Sequence, residues 1–98
     1  MGCLSTRGQY DKVRGYIEIA QNEGARMVAG GDVPEELSHG FFVRPTVFAD
    51  VTPDMRIAQE EVFGPVLSVL KWSDYDSLIE AVNGVDYGLT ASVWTRDI

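Results

Sequence analysis

Between residues 6 and 23, Val13, Tyr16, Ile17 and Ala20 recur at i, i+3, i+4 and i+7, the spacing of one apolar stripe along a helix. Thr6 and Gln9 stand at capping-box spacing at its start, and Gly24 suits a left-handed residue just past its end. The run "ARMVAGG" is short and apolar ahead of two glycines, predicting a strand that enters a turn. Polar, acidic and proline-bearing residues 32–40 predict a surface loop.

"FFVRPTVFAD" returns to strand-forming composition, and Pro45, lacking a ladder donor, predicts an edge strand or a bulge. Thr52 and Pro53 read as the N-cap and first position of a short helical turn through "DMRIA". "VLSVLKW", "SDYDSLIEAVNG" and "LTASVWT" then read as strand, helix and strand. Ser73 would cap that helix, Asn83-Gly84 would end it, and Tyr75, Leu78, Ile79 and Val82 would share one face. The crossover of that unit is expected to be right-handed and its two strands parallel. The class predicted is α/β, with a mostly parallel sheet and flanking helices. No repeat or second domain is visible, so residues 1–98 are expected to form one unit.

A hydrophobic content of 45% without low-complexity tracts describes a globular chain. The net charge of -7, with no basic cluster, argues against nucleic acid as a partner. No apolar run approaches the roughly 20 residues that span a bilayer, and "MGCLSTRGQ" lacks a signal peptide's apolar centre. A cytoplasmic chain free of the membrane is expected. "MGCLST" superficially matches a myristoylation signal, without a polybasic patch to support it. One cysteine and one histidine leave no intramolecular disulfide and no metal-ligand spacing, so no metal site is expected.

The chemistry concentrates in "AQEEVFGPVLSVL". If the preceding segment is helical, Glu60 and Glu61 lie at its negative end, where carboxylates cost about 0.3–1 kcal/mol. A carboxylate can accept hydrogen bonds from both hydroxyls of a ribose, whereas the alternative is a solvated pair at a helix exit. Gly64 allows the backbone to turn and Pro65 fixes φ, so Phe63 would be held at the mouth of a strand. On local pattern alone Phe63 reads as core rather than as a cofactor contact.

"GFFVRPTVFADVTPDMRIAQEEVFGPVLSVL", with "QYDKVRGYIEIAQNEGARMVAGG" before it and "NGVDYGLTASVWTRD" after it, resembles the NAD(P)-dependent aldehyde dehydrogenase superfamily over essentially the whole chain. The resemblance implies that Glu61 binds the nicotinamide ribose and that Phe63 lies beside the nicotinamide, with Glu60 a solvent-facing neighbour. Gln9 and Lys12 match a Q-x-x-K-V pattern whose side chains reach the same cofactor in some members. Capping for Gln9 and a solvated helix face for Lys12 are the alternatives.

The family reaction uses a cysteine thiolate to attack a small-molecule aldehyde and needs a lowered thiol pKa. Cys3 occupies the place of a proline in the family's "MGPL" stretch. The nucleophile, the general-base glutamate and the cofactor domain are therefore expected upstream, and no catalytic residue is assigned within the chain. What the resemblance implies is a partial catalytic domain of an enzyme that oxidises an aldehyde with NAD or NADP and forms a homo-oligomer. The chain alone is expected to be inactive and to bind neither cofactor tightly. The second reading is a stand-alone, self-associating interaction module without catalysis, because exposed sheet edges and apolar helix faces invite pairing.

Overall fold

Helix α1, Arg7–Asn22, starts where the Thr6 hydroxyl accepts the Gln9 amide at 3.1 Å and stops where Gly24 takes φ 98°. The expected start and stop both hold. A computed structural model describes residues 1–97. The buried stripe of α1 keeps Val13, Ile17 and Ala20 of the expected set and adds Tyr10 in place of Tyr16, whose polar tip turns sideways to a carboxylate. Tyr16 is only half-buried.

Strand β1, Arg26–Ala29, pairs antiparallel with β2, Thr46–Ala49, and β2 pairs parallel with β3, Val66–Ser68. The α/β class is as expected. The sheet is mixed, however, split between one antiparallel and one parallel pairing. β2 is its central strand rather than an edge. Pro45 is tolerated because the ladder begins one residue later, and the irregularity falls in β1 between Met27 and Ala29. Gly30, at φ 77°, lets the chain leave β1 against Pro45, where a Cβ would lie 2.2 Å from the Pro45 carbonyl oxygen.

The parallel pairing is closed by residues 50–65, which carry the short helix α2, Arg56–Gln59. Thr52 and Pro53 do not open that helix. The Thr52 hydroxyl donates to the Asp54 carboxylate, and the Met55 amide closes a turn onto the Thr52 carbonyl at 3.1 Å, so α2 begins only after Met55. Phe48, fully buried, packs with Val51, Met55 and Ile57 against the α1 stripe to make the core. Residues 32–40 form the expected loop, with a single 3-10 turn at Glu35–Leu37.

Helix α3, Tyr75–Asn83, is capped by Asp74 rather than Ser73, because the Asp74 carboxylate accepts the Ser77 amide at 2.9 Å and the Ser77 hydroxyl at 2.6 Å. Gly84 ends it, as expected. The expected strand at "LTASVWT" does not form among the described residues. A strand exists only by pairing, and this segment lies against no ladder: Leu89 is 100% and Trp94 93% exposed. The strand, helix, strand unit is therefore not completed. The outer face of α3 is likewise open, with Tyr75, Ile79 and Val82 exposed. The radius of gyration, 15.0 Å, exceeds the roughly 13 Å of a 100-residue domain because the chain beyond β3 extends from the core. Among the described residues no helix is long and apolar enough to cross a membrane.

Candidate functional site

Glu60 ends α2 with extended backbone, at the pole where a carboxylate is disfavoured. A local fork holds it there. Arg56, one turn earlier, reaches Oε2 through Nε at 2.6 Å and Oε1 through Nη2 at 2.8 Å, while the Tyr16 hydroxyl donates to Oε1 at 2.9 Å. The Arg56 hydrogen bonds, followed by that of Tyr16, lower the Glu60 pKa to about 2. The same bond to Glu60 raises the Tyr16 phenol above its usual range. Glu23, at the end of α1, supplies the cap α2 lacks by accepting the Arg56 amide at 2.9 Å. Glu60 is thus the engaged carboxylate of the pair, correcting the expectation that it faces solvent uncommitted.

Past Glu60 the chain leaves this network, and Glu61 is exposed. Phe63 has φ 54°, a left-handed conformation uncommon for a bulky residue, and its side chain stands 74% exposed. The conformation is supported from α1. The Gln9 amide nitrogen donates to the Val62 carbonyl at 3.2 Å and to the Phe63 carbonyl. One turn further along α1, Val13 lies directly beneath Gly64, where a Cβ would meet Val13 Cγ2 at 2.5 Å. The Thr46 amide then donates to the Pro65 carbonyl at 2.8 Å, tying the segment to β2.

Of the four residues expected at a cofactor site, Gln9 and Phe63 are brought together, and Glu61 stands two residues before Phe63 on the same exposed segment. Lys12 is exposed on the neighbouring part of α1, its Nζ 5.9 Å from the centre of the Tyr16 ring and directed at the Glu60 network. The capping-box alternative for Gln9 is half met. Its backbone amide is capped by Thr6, but its side chain crosses to residues 62 and 63 instead of returning to the helix start. Cys3 is exposed and shares a shallow cavity with Leu4, Val43, Gly64 and Pro65, which stops short of the Phe63 ring. Arg56 and Tyr16 are both partners of Glu60 that the sequence did not assign. The Arg56–Glu60 half carries a local i, i+4 signal that could have found it, whereas the Tyr16 contact bridges 44 positions and leaves none.

The model of the aldehyde dehydrogenase family matches residues 1–98. The aldehyde dehydrogenase tropH of Talaromyces stipitatus is 53% identical over 103 residues, which take in 100% of this chain and 20% of that protein. An alpha-ketoglutarate semialdehyde dehydrogenase of Haloferax volcanii is 54% identical across 99% of this chain and 20% of its own length. Among solved structures, a Mycobacterium tuberculosis aldehyde dehydrogenase complexed with NAD+ superposes with a TM-score of 0.94 at 49% identity, over 99% of this chain and 20% of that one. The chain spans about a fifth of the length of the relatives it matches.

Proposed function

Because this chain belongs to the aldehyde dehydrogenase family, we propose that it supplies part of the catalytic domain of an oxidoreductase that converts an aldehyde to a carboxylate with NAD or NADP. The observation that carries this reading is the presentation of Phe63, a large aromatic held outward on left-handed backbone with Glu61 exposed two residues before it. An exposed apolar ring and an acceptor-only carboxylate suit the two halves of a nicotinamide riboside. Glu61 would accept hydrogen bonds from the ribose hydroxyls, and Phe63 would flank the ring. The nicotinamide, when bound, supplies the hydride acceptor of the reaction.

The chain's own residues position and orient. Arg56 and Tyr16 fix Glu60, which anchors the start of the exposed segment, while Thr46 holds its end. Two contacts secure one end of a dinucleotide only, so the isolated 98 residues bind NAD+ weakly and show no aldehyde-dependent NADH formation, with or without Cys3→Ala. In the full-length enzyme, Glu61→Gln weakens NAD+ binding by about 5- to 150-fold, the scale of a lost hydrogen bond to a charged acceptor. Unchanged affinity in a calorimetric titration would return Glu61 to the role of a solvated surface group.

A second reading is favoured by one observation: Leu89, Val93 and Trp94 are almost wholly exposed. A chain presenting such residues outside any helix or strand, with a short open-edged sheet, suits self-association without catalysis.

A further inference from the structure

We infer that Gln9 is a positioning residue for Phe63, acting through the backbone rather than by capping its own helix; the inference rests on the proposed role of Phe63 at the nicotinamide. A primary amide carries two N–H donors on one nitrogen. In Gln9 that nitrogen faces two consecutive carbonyl oxygens, those of Val62 and Phe63. Consecutive carbonyls can be gripped from one point because Phe63 is left-handed, at φ 54°. A bulky residue in that region is strained and persists only where its surroundings over-determine it.

The surroundings do so on both sides of Phe63. Gln9 grips the carbonyls at 62 and 63, and one helical turn later Val13 closes on Gly64 so tightly that no side chain fits there. Both anchors project from α1, whose buried stripe sets its height over the sheet. The aromatic ring is consequently aimed by a helix more than fifty residues away in sequence, while remaining 74% exposed and available to a ligand.

Gln9→Glu separates this role from capping. Glutamate at this position completes a capping box with Thr6, so a purely capping residue would leave α1 as stable or stabilise it. The same change replaces two donors with a carboxylate facing two carbonyls. The expected result, read by NMR on the 98-residue chain, is loss of the left-handed Phe63 Cα and carbonyl shifts with α1 amide protection retained. Gln9→Ala removes the donors without adding charge and is expected to release Phe63 in the same way, which keeps the test available should the glutamate variant fail to fold. Left-handed Phe63 shifts retained in both variants overturn the inference. In the full-length enzyme, release of Phe63 with unchanged NAD+ affinity would sustain the clamp and sink the cofactor reading instead.

Discussion

Tyr16 donates its phenolic proton to the Glu60 carboxylate across 2.9 Å, joining the middle of α1 to the last residue before the exposed segment that carries Glu61 and Phe63. The bond ties the orientation of that segment to the core, because the same helix buries Val13, Ile17 and Ala20 on its adjacent face. Arg56 completes the junction by forking onto both oxygens of Glu60.

The junction has a pH signature. Glu60 titrates at about 2 in the folded chain, below the ~4.3 of an unperturbed glutamate, with the Arg56 hydrogen bonds as the largest cause. A depressed carboxylate stabilises the fold above its unfolded pKa, and that contribution is lost as pH falls through the folded value. Wild type is therefore expected to melt above Glu60→Gln at pH 5–7, with the gap closing between about pH 4.3 and 2. The pair is partly exposed, so added salt narrows the gap as well. A gap that stays constant down to pH 2 in thermal melts would remove Glu60 from the junction.

Gly64 is required by a contact rather than by its backbone angle. Its Cβ, if present, would lie 2.5 Å from Cγ2 and 3.3 Å from Cγ1 of Val13, which is fully buried and stiff at its branched Cβ. Gly64→Ala is expected to cost about 1–3 kcal/mol by overpacking. In a Val13→Ala background the added cost should shrink, since the atoms that clash are gone. Equal costs in both backgrounds, measured by urea denaturation, would place the defect elsewhere.

Local patterns made the frame legible. The α1 periodicity, the Thr6 cap, Gly24 and the strand compositions of β1, β2 and β3 each depend on neighbours within a few residues, and each element appears. The misreadings turn on competition or on partners. The Thr52 hydroxyl is spent on Asp54 while Glu23 at the end of α1 accepts the first amide of α2, and Ser73 lost its capping role to the more acidic Asp74 one residue on. The "LTASVWT" segment has strand composition, yet composition cannot supply a ladder. The roles expected of Glu61 and Phe63 rest on resemblance of the whole motif, whereas the Gln9 and Tyr16 contacts span 54 and 44 positions and become visible only once the chain is folded.

Thr46 is the one buried polar side chain of the described core, and its hydroxyl has a full set of partners. It accepts the Gly31 amide at 2.9 Å and donates to the Arg44 carbonyl at 2.8 Å, pinning the turn after β1 to the start of the central strand. Thr46→Val preserves shape and leaves the Gly31 donor unpaired, at an expected cost of about 1–3 kcal/mol. Thr46→Ser keeps both bonds and is expected to lose less. Amide exchange at Gly31 should quicken in the valine variant alone; equal protection in the two variants would show that the hydroxyl is dispensable.

The segment beyond α3 provides a test of the self-associating reading. Burial of apolar area is worth about 25 cal/mol per Å², so Leu89, Val93 and Trp94, left in water, hold a sizeable unused driving force for association. Residues 90–95 form no helix or strand, and β3 lies at one edge of the sheet with only β2 beside it. A second copy can satisfy both deficits at once, pairing its exposed segment with that edge while covering the open face of α3. Sedimentation from micromolar to millimolar concentration is therefore expected to show mass action toward a dimer, weakened by Leu89→Asp and Trp94→Asp together. Those two side chains are 100% and 93% exposed in the single chain, so their replacement leaves the core of α1 and β2 untouched and a loss of association reads on the contact itself. A strict monomer across that range would rule out the module reading and leave the exposed segment as a surface that only the remainder of a longer enzyme covers.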